Sequence, residues 1–379
     1  MWCPCLSEAV QQWSVWLAHE AAQRRKLTRR QALKGATAAL AAAGCAPAAS
    51  GAQKAEAESL LGGNVSVDLH SHPGLHPRLS PTSLSTHLER IANGRLKLVF
   101  LTAVGDGPVI RSSPTGRISQ VREPNPGELY VSTYQQLSTF RRSIDGGRMM
   151  LIRNAGDLER LNATATPGGV LAVEGGDFLE GKLERVQEAR ARGVQAIQLT
   201  HYRVNELGDI QTEAPRYGGL TPFGLDVIRE MNRLGMVVDV AHLTHDGVKQ
   251  AVEVTRKPLL LSHTVLQTNF ARSISAEHAR LIARTGGVIG IFPVNSGGYF
   301  GFDGYIQHIA RMIDTVGVDH VGLGTDMDGI SPPSFVSFTD YSEWPSITAT
   351  LLARGYSRAD VAKVMGGNFL RVYRETAAA

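Results

Sequence analysis

Six apolar runs in this chain each end on an imidazole or a carboxylate. Val67-Asp68-Leu69 leads into His70-Ser71-His72, Val170 to Val173 into Glu174, and Ile197 to Thr200 into His201. Val237 to Ala241 ends at His242, Leu259 to Ser262 at His263, and Val321 to Thr325 at Asp326. Short continuous apolar runs of this kind read as strands buried on both faces. Amphipathic stretches of helical length separate them, which is the rhythm of parallel βα units. Strands are expected near 65–70, 96–102, 169–174, 194–200, 236–241, 258–262, 287–292 and 320–325, with a ninth over 149–153. Helices fit 126–143, 179–192, 222–234, 244–255, 275–285, 302–316, 342–354 and 357–374. Eight principal strands are what a closed (β/α)8 TIM barrel requires, and such a barrel gathers the C-terminal ends of its strands around one mouth. Side chains spread over more than 250 positions would then share one pocket.

Charge excludes one class of partner. The chain of 379 residues carries a formal +4, but residues 1–45 hold six Lys/Arg and two acids, leaving 33 basic and 33 acidic residues in the rest. The basic character belongs to the N-terminal segment and gives no argument for nucleic-acid binding. All three cysteines, Cys3, Cys5 and Cys45, lie in that segment. No thiol in the body of the chain is therefore available as nucleophile, disulfide partner or metal ligand.

The candidate site residues are imidazoles and carboxylates, the ligand types of a two-metal hydrolase. His70 and His72 stand two apart, so on a continuing strand both rings face one side, and such a His-x-His pair after a first barrel strand resembles the metal-binding start of the amidohydrolase superfamily. Glu174 at a buried strand end is costly unless paired or metal-bound, and its two oxygens suit it to bridge two cations. His242 and His263 would complete the second cation's ligands. Asp326 would take a proton from the attacking water and deliver it to the leaving nitrogen. His201 would either bind the second cation weakly or donate to the oxyanion formed at a carbonyl. The remaining histidines, His19, His76, His87, His245, His278, His308 and His320, are expected on the surface or in loops.

Several segments together resemble the membrane dipeptidase family of metallopeptidases across 65–376. They are Val173-Glu174-Gly175-Gly176, Leu199-Thr200-His201, Gly219 to Gly224, Asp239-Val240-Ala241-His242, Ser262-His263-Thr264, Ala271-Arg272-Ser273-Ile274, Gly322 to Gly329 and Gly367 to Val372. The resemblance implies two zinc ions per chain, one held by His70, His72 and Glu174 and the other by Glu174, His242 and His263. It implies that Asp326 handles the proton and that His201 and Arg272 bind substrate, with Arg272 pairing the substrate's C-terminal carboxylate. The family usually has His-x-Asp where this chain has His70-Ser71-His72, which exchanges an anionic ligand for a neutral one.

The implied activity is hydrolysis of dipeptides or dipeptide-like amides. Two other readings stay open on the sequence: a hydrolase of the same fold acting on lactones or N-acyl amino acids, and a non-catalytic ligand-binding surface lipoprotein. Barrels of this kind often pair as homodimers. Residues 1–45 read as a leader. Thr28-Arg29-Arg30-Gln31-Ala32-Leu33-Lys34 resembles a twin-arginine export signal, an apolar stretch of 36–43 follows, and Ala42-Ala43-Gly44-Cys45 resembles a lipoprotein processing site with Cys45 as the lipidated residue. A plain signal cut nearby is the alternative. Either way the expectation is a protein exported to the periplasm or the outer face of the cytoplasmic membrane, touching membrane only through lipid. Residues 46–64, rich in Ala, Gly and Ser, read as a flexible linker.

Overall fold

A computed structural model describes residues 48–75, 84–114, 116–329, 337 and 340–377. His19, Arg29, Arg30, Cys45 and His76 lie outside the described residues. Eight parallel strands follow one another around a barrel: β1 (Val67–Asp68), β2 (Leu98–Val104), β6 (Gly168–Glu174), β7 (Val194–Gln198), β8 (Val237–Asp239), β9 (Leu260–Thr264), β10 (Val288–Ile291) and β11 (Val321–Leu323). The last strand returns to the first. Leu69 N donates to Leu323 O at 2.9 Å, Asp326 N to His70 O at 2.9 Å, and His72 N to Met327 O at 2.8 Å. β3 (Ile110–Ser112) and β4 (Ile118–Gln120) form an antiparallel hairpin in the long segment after β2. The expected ninth strand is β5 (Met150–Leu151), which pairs with the first residues of β6 beside the place where β7 begins.

Alternation along the strands decides what faces the site. Val67, Leu69, Leu98, Phe100, Val170, Ala172, Ala196, Val237, Leu260 and Val288 form one buried cluster with Phe369 and Tyr373. Their partners one residue on, such as Val99, Leu101, Leu171, Val173, Ile197, Val238, Leu261 and Ile289, belong to a second cluster with the helices. The first set fills the barrel, and Phe369, whose ring is 5.0 Å from that of Phe100, closes the end where the strands start. By the period of two, Glu174 points inward with Val170 and Ala172.

The helices are α1 (Gly51–Gly63), α2 (Leu84–Asn93), α3 (Glu128–Asp145), α4 (Ala155–Asn162), α5 (Glu184–Ala191), α6 (Pro222–Arg233), α7 (His245–Val254), α8 (Ala276–Arg284), α9 (Gly301–Val316), α10 (Trp344–Ala353), α11 (Arg358–Ala362) and α12 (Asn368–Ala377). Thr221 caps α6 by accepting from Gly224 N, and Ser357 caps α11 by accepting from Asp360 N. Among the described residues no helix is long and apolar enough to cross a membrane.

Three expectations need correction. The linker of 46–64 is largely helix α1. Ser50 and Gln53 form a reciprocal capping box, and Ala57, Leu60 and Leu61 are buried, with α1 packed on α10. Alanine favours helix as readily as it marks a linker, and positions 57, 60 and 61 share one helical face. The single helix expected over 357–374 is broken by a π turn at Lys363–Gly367, where a Cβ on Gly366 would stand 2.3 Å from Val65 O. His87, His278 and His308, expected at the surface or in loops, are buried on the inner faces of α2, α8 and α9. His320 is half-buried at the opposite end of the barrel from Glu174, with Nδ1 2.9 Å from Gly287 O.

Candidate metal centre

All seven side chains assigned from the sequence to metal or proton chemistry meet at the strand C-termini. His70, His72, Glu174, His201, His242, His263 and Asp326 are each at most 7% exposed. Glu174 stands at the middle. Its Oε1 is 3.4 Å from His70 Nε2, 3.4 Å from His242 Nε2 and 3.5 Å from His263 Nε2. Its Oε2 is 3.3 Å from both His72 Nε2 and His201 Nε2. Asp326 Oδ1 lies 3.2 Å from His72 Nε2, so the expected proton carrier borders the ligand set. Three groups have ligand atoms close enough to share an ion: His70, His72 and Asp326; His70, Glu174 and His263; Glu174, His201 and His242. These groups cut across the two sets expected from the sequence.

The outer nitrogens of the rings are tied down. His72 Nδ1 lies 2.9 Å from Thr102 O, so the ring donates there and Nε2 carries the lone pair of the neutral form. Ser262 Oγ sits 3.3 Å from His70 Nδ1 and 2.9 Å from His263 Nδ1. Asp239 Oδ1 holds the Ser262 amide at 3.0 Å, which fixes the residue that orients both rings. Such outer partners set ring orientation in metal sites. Part of the backbone strain lies in the same place. His242 (φ 65°) and Asp326 (φ 54°) occupy the left-handed region, costing roughly 1–2 kcal/mol each. The Gln211 N–H to His242 O bond (2.9 Å) and the Asp326 N–H to His70 O bond hold them.

The donor set fits a cation. His70 Nε2 is 3.1 Å from His72 Nε2, and His242 Nε2 is 3.3 Å from His263 Nε2. Neutral rings in this arrangement would turn lone pairs towards each other and towards carboxylate oxygens, and only a positive charge between them reconciles the atoms. With protons alone the site compromises. Burial opposes a charge on His72, but the hydrogen bonds to Asp326 and Glu174 outweigh it and push the ring up to about 10. Burial also opposes ionisation of Glu174, yet His201 and His70 hold it well below the usual carboxylate range. Burial and the neighbouring Arg272 guanidinium push His242 down to about 3, and burial with His70 keeps His263 well below an ordinary histidine. Nitrogen and oxygen ligands without thiolate suit zinc.

Arg272, 5% exposed, stands at the rim of this cluster. Its Nη1 is 2.7 Å from His242 Nε2 and 3.4 Å from the Tyr202 hydroxyl. Its Nε and Nη2 have no hydrogen-bond partner among the described residues. The rings of Phe292, Phe270 and Tyr202 surround the guanidinium at 5.1, 5.3 and 6.0 Å. Sequence reasoning missed Asp106, which is fully buried two residues beyond β2 and has Oδ1 2.7 Å from His201 Nδ1. Its only signal was that position just past an apolar run.

The fold and cluster define a (β/α)8 barrel of the metal-dependent hydrolase type, with imidazoles and carboxylates gathered at the strand C-termini. The model of the family described as membrane dipeptidase (peptidase family M19) matches residues 60–379, and the chain belongs to that family of metallopeptidases. It is 28% identical over 311 residues to dipeptidase tcpJ of Claviceps purpurea, covering 79% of this chain and 71% of that one. It is 30% identical over 272 residues to dipeptidase aclJ of Aspergillus oryzae, covering 66% and 63%. In fold it is similar to the probable dipeptidase PvdM of Pseudomonas aeruginosa (TM-score 0.72, 20% identity, 86% and 98% of the two chains). A metallo peptidase of Rhodobacter sphaeroides, solved with a phosphinate mimic of the dipeptide L-Ala-D-Ala, is also similar (TM-score 0.69, 19% identity, 83% and 99%).

Proposed function

We propose that this protein is a binuclear zinc dipeptidase that hydrolyses the amide bond of dipeptides or dipeptide-like substrates. The observation that carries the reading is a buried guanidinium, Arg272, with two nitrogens that have no partner among the described residues, beside a cluster whose atoms could hold a cation. A planar fork in that position suits the free carboxylate of a short peptide. His70, His72, Glu174, His242 and His263 would hold the ions, with Glu174 facing both. Zinc bound there would supply a water of lowered pKa and polarise the substrate's carbonyl. Asp326 accepts the water's proton at Oδ1 and later passes it to the leaving nitrogen. His201, held as the imidazolium by Asp106 and facing the cluster through Nε2, would donate to the oxygen on which negative charge develops. Burial of every one of these groups keeps competing water out and strengthens each interaction.

The test is metal analysis of purified protein, paired with hydrolysis of a panel of dipeptides, dipeptide amides, N-acyl amino acids and lactones. The reading expects about two zinc ions per chain and dipeptide turnover that a chelator abolishes. Turnover insensitive to chelator, or confined to lactones, overturns it. We further propose that the enzyme acts outside the cytoplasm. Arg29-Arg30, the apolar stretch of 36–43 and Cys45 support export in folded form and attachment by lipid.

A further inference from the structure

We propose that Asp106 is a positioning residue for His201, fixing the ring so that Nε2 faces the reacting carbonyl while Nδ1 is committed to the carboxylate. The proposal rests on the reading of His201 as the donor to that carbonyl. Asp106 is wholly buried, and both of its oxygens are engaged by one short stretch of chain. Oδ1 is 2.7 Å from His201 Nδ1, and Oδ2 accepts from Tyr202 N at 3.0 Å. The carboxylate thus grips the ring of one residue and the backbone of the next, leaving the ring no freedom to flip. An ionised carboxylate only accepts, so the hydrogen of that contact belongs to Nδ1 and the other nitrogen is the one presented to Glu174 at 3.3 Å.

The sequence builds this contact through a close approach of two strand ends. Gly105 N donates to Glu174 O at 2.7 Å, and a Cβ on Gly105 would stand 2.1 Å from Gly175 O. Only glycine lets the end of β2 press against the end of β6, and that places the next residue, Asp106, under the β7 loop that carries His201. A buried carboxylate needs partners to offset its desolvation, and here the partners are His201 and the amide after it. Tyr202, whose ring centroid is 4.5 Å from that of His201, is held in the same grip. The pair thereby links the position of the oxyanion donor to the residue whose hydroxyl lies beside Arg272.

A double-mutant cycle on the zinc-loaded enzyme tests the coupling. Asp106→Asn keeps the shape but replaces one acceptor with an amide donor. It should lower kcat roughly 10–100-fold, the usual range for a lost outer partner, with KM changed less than about 3-fold and zinc content and Tm at parental values. In a His201→Gln background the same change should add little, because its effect passes through the imidazole. Additive losses, or loss of zinc in Asp106→Asn, overturn the proposal. A second measurement needs neither substrate nor a stable Asp106 variant. The Nδ1 proton of a ring bound to a carboxylate resonates at low field, and the buried His87–Asp328 pair (3.2 Å) offers a second such proton, so the parent should show one low-field signal that His201→Gln lacks. An unchanged set of low-field signals in His201→Gln overturns the assignment. Failure of dipeptide turnover in the parent, with that signal present, counts against the dipeptidase reading and leaves the Asp106–His201 pair standing.

Discussion

Arg272 Nη1 lies 2.7 Å from His242 Nε2, so the guanidinium engages the lone pair that a zinc ion held by His242 would take in its place. The cation proposed to recognise substrate thus borders the proposed metal ligands, and the remaining Arg272 nitrogens are the ones left for a ligand. Arg272→Lys keeps the charge and loses the fork. Activity on a dipeptide with a free C-terminus should fall about 10–100-fold, the value of one charged hydrogen bond, while activity on the matching amide falls much less. Equal losses on the two substrates would remove Arg272 from carboxylate recognition.

One carboxylate touches five imidazoles. Glu174 lies within 3.5 Å of His70, His72, His201, His242 and His263. Glu174→Ala should therefore lose both zinc ions, whereas His263→Ala should lose mainly one. Elemental analysis after dialysis decides it. A single ion retained unchanged in Glu174→Ala would refute the bridging role.

The barrel and the convergence of His70, His72, Glu174, His201, His242, His263 and Asp326 were legible because each apolar run announces a buried strand and its end announces the mouth. What stayed hidden depended on context. Ala57, Leu60 and Leu61 bury only because α10 offers a surface, so an alanine-rich stretch read as linker. His87, His278 and His308 occupy inward helical positions, which composition alone does not separate from outward ones. The left-handed backbone at His242 and Asp326 has no composition signature, since neither is glycine. Asp106 sits beyond its strand by a distance that only the Gly105–Gly175 approach explains.

The close approaches themselves are testable. A Cβ on Gly290 would stand 1.8 Å from Ser262 O, and Ser262 orients His70 and His263. Gly290→Ala should cost ~1–3 kcal/mol or more in stability and weaken zinc retention together. Calorimetry and metal analysis on the same preparation check this. A destabilised variant that holds zinc as tightly as the parent would separate strand packing from ring orientation.

Acid should unfold the metal-free protein partly through His278. Burial, reinforced by neighbouring His245, pushes this ring down to about 3, whereas in the unfolded chain it titrates near 6.5. The unfolded state therefore binds a proton that the folded state refuses as pH falls below 6.5. Stability drops across the window from about 6.5 to 3 and levels off beneath it. His278→Leu should remove this contribution, making the loss between pH 6.5 and 4.5 smaller by ~2 kcal/mol. Denaturant titrations at the two pH values, in the presence of chelator, measure it. Parallel losses in parent and variant would show that His278 is not a source of the acid sensitivity.

The proposed export rests on the N-terminal motif. On that proposal a twin-arginine receptor would read the pair Arg29-Arg30 as an address, so Arg29→Lys with Arg30→Lys should leave precursor in the cytoplasm. Cys45 precedes the barrel, whose first strand begins at Val67. Cys45→Ser should therefore release the enzyme from membranes, or block its processing, without lowering its specific activity. One acyl chain anchors only marginally and stable attachment takes more than one, so a lipoprotein-type modification predicts membrane association that survives high salt. A Cys45→Ser protein that still fractionates with membranes would exclude the lipid anchor. A parental enzyme found soluble outside the cytoplasm would replace it with a plain cleaved signal.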